Sequence, residues 1–372
     1  MYYDYIIVGA GISGLYALYN LLKLYPNKKV LIIEKHKFGG RVGTINFQGH
    51  TVTTGAGVGR QKDKLLIKFL KELDIPVQNF ELKLTTPYKN TLPQILEKFK
   101  KHKPFLFETF EEYGLRVLGK EQLHRFVVNS GYTDYLRANA IETLENYGFE
   151  DVLPGFKGFY IPWKILLTKL RELKGNWEYK KEDVIGFGSE SKLLYNIQTS
   201  KNNYNCSFVI FAIPPYNLSK IVPGLYNPKI SSQPFSRTYI KTNKPLGIPE
   251  NGVFNCIGLI QKIIPIGDNI YMLYNDNKEA IWIKNADITE IKGELYKEML
   301  YYKGVKTKIQ IMKIKKIYWE RGTHYYNIYP NDINLYPYDR VAIVGEAYSF
   351  NQGWVEGALE TVNKVINKIK KV

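Results

Sequence analysis

Cysteine is nearly absent: Cys206 and Cys256 are the only two in 372 residues, and no metal-ligand spacing connects them. That argues against a disulfide-built secreted scaffold and suits a reducing, cytoplasmic compartment. No run of about eighteen apolar residues exists to cross a bilayer, and the opening Met1-Tyr2-Tyr3-Asp4 does not read as a leader peptide. The five histidines form no HxxxH or HExxH pair and no G-x-S-x-G elbow occurs, so metal catalysis and nucleophilic hydrolysis have no motif to rest on. GLRVLGK (Gly114 to Lys120) has the glycine and lysine spacing of a phosphate-binding loop, but Glu121 stands where Mg²⁺ needs a hydroxyl. Internal repeats and low-complexity linkers are missing as well.

Acidic residues are also scarce, 35 against 52 lysines and arginines, which leaves a formal charge of +17. Two readings stay open. The lysines are scattered among many Asn, Tyr and Ile residues, as AT-rich coding produces in parasites and large DNA viruses; host cytoplasm or a virus particle then suggests itself. Alternatively the charge serves an acidic partner: nucleic acid, an anionic membrane or an acidic protein. The densest basic clusters, Lys98 to Lys103 and Lys368 to Lys371, read as solvated helix faces.

What the chain does have is 45% hydrophobic residues and 30 glycines, some of them in telling places. Asp4 to Gly9 is a short apolar run suited to a buried parallel strand, Gly14 to Leu24 repeats apolar residues at helical spacing, and Lys29 to Glu34 returns to strand. Gly9-Ala10-Gly11-Ile12-Ser13-Gly14 lies at the strand-to-helix turn. Gly9 permits the turn, Gly11 lets backbone approach a diphosphate, and Gly14 lets helix and strand pack closely. The helix N-terminus offers amides and partial positive charge to phosphates, and Glu34 has the spacing to bind a ribose hydroxyl. The unit predicts dinucleotide binding.

Residues 61–150 change to charged, helical patterns without strand alternation, whereas strands and one helix alternate from about Thr238 to Trp319. Strand-like character returns around Val184 and in SFVIFAIPP, and again in RVAIVGEAYSF before a final helix. The expected fold is α/β: a discontinuous Rossmann-like domain (residues 1–60, 151–236 and 320–372) with an inserted α+β substrate domain (61–150 and 237–319).

Gly39-Gly40-Arg41 with Thr44 resembles the GGR–T signature of the flavin-containing amine oxidase family. Four later stretches resemble that family too: TTGAGVGR (Thr53 to Arg60), SFVIFAIPP (Ser207 to Pro215), YWERGTHYYNIYP (Tyr318 to Pro330) and VAIVGEAYSFNQGWVEGALE (Val341 to Glu360). The resemblance implies non-covalent FAD, held by Gly9, Gly11, Gly14, Glu34, Gly40, Arg41, the Gly57-Val58 loop, Val184 near adenine, and Gly345-Glu346 at the ribityl chain. It implies further that the helix after Trp354 aims its N-terminus, with the Val355 amide, at the flavin pyrimidine, where its partial positive charge stabilises reduced flavin. Tyr325 and Trp354 take the positions of two facing rings that orient an amine.

The activity so implied is oxidation of an amine C–N bond to an imine, with dioxygen reoxidising the flavin to give hydrogen peroxide; the cofactor carries the redox chemistry. Two departures bear on it. Arg237 falls in the slot where the family has a lysine facing flavin N5, and arginine stays charged; Lys241, further along that strand face, is the alternative. His324 falls where some relatives attach flavin through cysteine, although a satisfied surface histidine is the expectation. Rival readings are an amino-acid oxidase or desaturase with Arg237 or Arg60 gripping an acid, and a catalytically silent, FAD-stabilised interaction protein.

Overall fold

The computed structural model describes residues 1–370 except 90, 148, 154, 192, 226 and 304–308. Tyr2–Val8 sits in the middle of the main sheet, because its apolar run Tyr-Ile-Ile-Val tolerates cover on both faces. It pairs in parallel with Val30–Glu34 on one side and Asn203–Phe211 on the other. Trp177–Lys181 extends the sheet beyond Val30–Glu34, also in parallel. Along the other flank, Asn203–Phe211 serves two partners. Its first half pairs antiparallel with Leu194–Thr199, and its last three residues pair in parallel with Val341–Ile343. Helices Ile12–Leu24 and Val355–Ile369 pack together on this sheet and bury Leu15, Leu18, Val362 and Ile366. The first and last parts of the chain thus meet at the carboxyl end of the central strand, where open α/β sheets bind ligands.

The second sheet has six strands in the order 311–326, 230–242, 270–276, 262–267, 252–255, 83–85. Helices Asn277–Asn285 and Ile288–Lys303 cover one face of it through Ile283, Ile291, Leu295 and Met299. On the other face Tyr239, Ile270 and Met272 meet Phe47 and Val52 of the hairpin formed by Thr44–Phe47 and His50–Thr53. A third core is aromatic: Phe99, Phe110, Tyr113, Phe126, Tyr135 and Phe149 join helices Leu92–Lys100 and Phe110–Ser130. The longer helix starts in a Thr109/Glu112 capping box and stops at left-handed Gly131.

Two features differ from the sequence reading. Residues 61–150 contain short strands, Gln78–Glu81 and Lys83–Thr85, which complete sheets whose other members lie far along the chain; three or four residues are too few to show alternation. The expected boundaries at 236/237 and 319/320 fall inside Ile230–Thr242 and Ile311–Tyr326, a continuous antiparallel ribbon. One end of that ribbon supports the second sheet. Its other end delivers residues 322–326 toward the nucleotide-type sheet. No helix among the described residues is long and apolar enough to cross a membrane.

Candidate cofactor crevice and substrate cavity

The three motif glycines separate by what a Cβ would meet. At Gly9 (φ 105°) it would lie 2.6 Å from the Ala212 carbonyl oxygen, and at Gly14 only 1.9 Å from the Gly9 oxygen. Those two glycines serve packing. A Cβ on Gly11 meets nothing within 4 Å, so Gly11 opens space at the helix N-terminus, the polarity an anionic group prefers. Gly40 (φ 58°) closes one side, its Cβ position 3.2 Å from the Gly11 Cα, while the Gly39 amide donates to Ala10 O at 2.8 Å. Glu34 accepts from the Ala10 amide (2.9 Å) and the His36 amide (2.7 Å), one to each oxygen. Each oxygen keeps acceptor capacity for a hydroxyl. Val184 starts its strand just past the Glu34–Lys181 pair and is buried.

Arg41 and Glu346, 305 residues apart in sequence, meet at 2.7 Å. The same Arg41 Nη1 donates to Gly322 O at 2.5 Å, which leaves Nε and Nη2 without a protein partner among the described residues. Gly345 (φ 144°) adopts a backbone conformation open to glycine, and its Cβ position lies 4.0 Å from Ser13 Oγ of the first motif. Glu346 is buried and accepts from His324 Nδ1 (2.5 Å) and the Gly353 amide (3.1 Å). Burial alone would push its carboxyl up; the His324 and Arg41 charges and these hydrogen bonds override that and hold it well below the usual carboxylate range. His324 is therefore buried and engaged, not the surface histidine its polarity suggested, because the ribbon's inward face turns it toward Glu346.

Arg60 is buried, and each of its three guanidinium nitrogens is bonded. Its Nε donates to Asp63 (2.8 Å), Nη1 to Glu150 (3.1 Å) and Nη2 to Asn351 (2.8 Å), and its guanidinium lies 4.0 Å over the Trp354 ring. It fixes Trp354, at the start of the helix whose first residue is Val355, and its charge is already met by Asp63 and Glu150. The Gly57 carbonyl accepts from Trp163 Nε1 at 3.2 Å, and Val58 pairs with Tyr160. Arg237 reaches this loop: a Cβ on Gly57 would lie 2.8 Å from Arg237 Nη2. Arg237 Nη1 donates to Thr53 Oγ1 at 2.9 Å, and its buried Nε has no partner. Lys241 is not brought to the site. It shares the strand face of Arg237, yet four residues at strand rise carry it about 13 Å away, to the far turn, where it donates to Asp268 O.

Tyr325 lines a narrow cavity of about 30 Å³ with Asp134, Glu142, Gln233, Thr323 and Gln352, under the helical insertion. Thr323 and Gln352 lie within the stretches 318–330 and 341–360, whereas Asp134, Glu142 and Gln233 carry no sequence signature; the five come from a loop, a one-turn helix, strands and a turn with no common spacing. Three acceptors around it, Gln233 Oε1, Thr323 Oγ1 and Gln352 Oε1, are buried without a partner. The amide nitrogens of both glutamines are bound, to Asp134 O (2.5 Å) and Ala347 O (2.9 Å). Burial, then the neighbouring Glu145 charge, pushes Glu142 up to about 8. Behind the cavity wall, Asp134, Asp151 and Asp276 share one buried cation, Lys262, whose ammonium stands over the Tyr132 ring at 3.0 Å. Burial raises all three carboxyls and lowers the lysine to about 8. The surroundings are acceptor-rich and poor in cations.

Residues 7–73 match the family model of the NAD(P)-binding Rossmann-like domain. Among sequence relatives, an uncharacterised protein of Acanthamoeba polyphaga mimivirus is 37% identical over 95 residues, 24% of this chain and 19% of that protein. Rattus norvegicus prenylcysteine oxidase 1 is 36% identical over 70 residues, 18% of this chain and 14% of that protein. The matched part thus spans under a fifth of either relative. Likeness of fold extends over the whole chain. A putrescine oxidase solved with putrescine bound superposes with a TM-score of 0.79 at 15% identity, covering 100% of both chains. Cyclohexylamine oxidase from Brevibacterium oxydans gives 0.78 at 13% identity over 99% of each. From its first strand to its last helix, the chain has the fold of these amine oxidases, and its residues 7–73 are similar to the NAD(P)-binding Rossmann-like domain.

Proposed function

We propose that the protein is an FAD-dependent oxidoreductase that oxidises the C–N bond of an amine to an imine, with dioxygen as the final electron acceptor. The observation that carries this reading is the continuity of the two halves of the site: open space beside Gly11, the Arg41–Glu346–His324 junction 2.5–2.7 Å across, and a cavity holding three unpaired acceptors beside Tyr325. The residues fit an elongated dinucleotide. Gly11 and the Ile12–Leu24 N-terminus suit its diphosphate, Glu34 a ribose and Val184 adenine. Arg41 has Nε and Nη2 to give to anionic oxygens, and Val355 presents a helix N-terminus to the ring. Held there, FAD would supply the two-electron acceptor, with dioxygen as the final oxidant and hydrogen peroxide as its product. His324 Nδ1 is occupied by Glu346, which favours non-covalent retention.

The chain's own residues do the rest. An amine nitrogen carries N–H donors, and the orphaned oxygens of Gln233, Thr323 and Gln352 accept from it; each satisfied acceptor removes a desolvation cost of about 1–3 kcal/mol. Tyr325 and Trp354 orient the amine by their rings, and Arg60 locks Trp354 from behind. Arg237, always charged, cannot shuttle a proton; its place against Gly57 suits it to fix an anion or a water. An amino-acid oxidase reading loses Arg60 as a carboxylate clamp, since it is buried and already paired with Asp63 and Glu150.

The test is spectroscopic. Purified protein should be yellow or take up FAD, and an anaerobic panel of amines and amino acids should bleach the colour with amines in the lead. A protein that binds FAD but stays coloured with every compound ends the oxidase reading. One that takes up no FAD ends the cofactor assignment too.

A further inference from the structure

The loop between the helices Leu92–Lys100 and Phe110–Ser130 presents three consecutive large apolar side chains to solvent. Phe105, Leu106 and Phe107 are 65%, 56% and 69% exposed, an arrangement that costs solubility unless something covers it. The exposure is not fraying. The Phe105 amide donates to Glu108 Oε2 (2.9 Å), the Glu108 amide to Phe105 O (3.2 Å), and Asn139 Nδ2 to Leu106 O (2.8 Å). Arg116 adds a two-pronged grip on the Glu108 carboxylate (2.8 and 2.7 Å) and a bond to Lys103 O (3.2 Å). The backbone is pinned, and the Arg116 guanidinium stacks over the Phe105 ring at 4.4 Å, while all three side chains stay more than half exposed.

Charge flanks the same loop. Lys98, Lys101 and Lys103 have no carboxylate within 4.0 Å among the described residues, whereas the neighbouring acids are largely spent: Glu97 pairs with Lys100, Glu108 with Arg116, and Glu112 caps its helix. Glu111 is the one acid left on that flank. An apolar tip flanked by free lysines, on a chain of net charge +17, is complementary to a lipid bilayer with anionic headgroups: the rings enter the acyl boundary and the ammonium groups stay at the phosphates. An acidic protein would match the lysines but give the three apolar side chains no reason to stand in a row.

We infer that Phe105–Phe107 and the lysines beside them form a docking surface for an anionic membrane, so that the protein sits on a bilayer without crossing it. The surface lies close to the cavity. Asn139, which holds Leu106 O, also donates its amide to Tyr326 O at 2.8 Å, next to Tyr325. Docking is independent of the redox reading, and its test needs no turnover.

The experiment is co-sedimentation of the full chain with large unilamellar vesicles, either pure phosphatidylcholine or phosphatidylcholine with about 30% phosphatidylserine. Expected are binding to the anionic vesicles, at least tenfold weaker binding to neutral ones, and loss of binding as salt rises from 0.1 to 0.5 M. Leu106→Ser with Phe107→Ser should weaken partitioning at least tenfold, since each buried side chain is worth a tenfold or more. Lys101→Glu with Lys103→Glu should remove the preference for phosphatidylserine. Should a double variant fold poorly, Phe107→Trp in the otherwise unchanged chain gives a second readout, a blue shift of emission on adding anionic vesicles. No sedimentation with either vesicle and no emission shift, or binding indifferent to both pairs of substitutions, overturns the proposal. So does self-association without vesicles that the serine pair abolishes, which would assign the patch to a second copy.

Discussion

Glu346 and Glu142 are buried to the same degree, both about 6% exposed, yet their carboxyls move in opposite directions. Glu346 is met by His324, Arg41 and the Gly353 amide, and is held far below the usual range. Glu142 is given no cation to offset its burial, only the Glu145 charge, and rises to about 8. Depth therefore does not decide ionisation; what the fold places opposite the group does. The crevice comes with its charges already balanced. The cavity is left wanting positive charge and N–H donors, and a cationic or donor-rich ligand is what would complete it.

The contrast between a self-sufficient crevice and an incomplete cavity can be broken most severely at its hinge. Gly14→Ala puts a methyl 1.9 Å from the Gly9 oxygen, backbone against backbone. The expected outcome is loss of folded protein, or a fall in stability of about 4 kcal/mol or more. Gly11→Ala meets nothing within 4 Å, so unfolding without FAD should change by under about 1 kcal/mol, while FAD uptake, read by flavin absorbance, should drop at least tenfold. Equal damage to the apo fold from both changes would remove Gly11 from the cofactor's footprint.

Next in size is Glu346→Ala. It leaves buried His324 and Arg41 Nη1 without their shared acceptor, and breaking such a pair costs about 3 kcal/mol, measurable by denaturant unfolding. The pH signature follows from the depressed carboxyl. The stabilisation is fully present above the ordinary glutamate value and disappears as pH falls toward the folded-state value, so wild type and variant should converge in strong acid.

The unequal legibility of the two regions has a physical cause. The crevice is shaped by backbone, and backbone demands leave a mark: Gly9, Gly40 and Gly345 have positive φ, Gly14 abuts the Gly9 carbonyl and Gly11 leaves open space, at intervals the eye can read. Glu346 and Arg41 ride beside such glycines and are found with them. Cavity residues act through side chains whose positions depend on tertiary packing alone. Asp134 comes from a loop, Glu142 from a one-turn helix, Gln233 and Thr323 from paired strands, and no spacing links them. The same limit explains Lys241, chosen for facing the same side of a strand as Arg237; alternation fixes a face but not a position along it. The main sheet and terminal helices were legible because their apolar residues recur at strand or helix period beside glycine turns. The short strands at 78–81 and 83–85 are defined only by distant partners.

A smaller effect sharpens the cavity side. Because Glu142 binds its proton more tightly folded (about 8) than at its ordinary value of 4.5, the folded state holds the extra proton between those limits, and stability must fall as pH rises through that window. The slope reaches about 1.4 kcal/mol per pH unit for one group. Glu142→Gln, neutral at every pH, should flatten the decline between pH 5 and 8 in a series of thermal melts. A slope unchanged by the substitution would leave the decline to the aspartates around Lys262 and remove Glu142 from the cavity's charge deficit.

The smallest expected effect separates two basic residues that the sequence could not rank. Lys241→Ala removes a half-buried side chain whose one partner among the described residues is the Asp268 carbonyl in a turn. Surface changes of this kind stay within about 0.5 kcal/mol, and the rate at which an amine bleaches the bound flavin should be unchanged. Arg237→Ala takes away a guanidinium that bonds Thr53 and abuts Gly57, so the two variants should part company in that same bleaching assay while melting at similar temperatures. If Lys241→Ala slows bleaching and Arg237→Ala does not, the lysine must reach the ring by a route the strand register forbids, and the register of Ile230–Thr242 against Ile270–Asp276 would have to shift by about four residues to allow it.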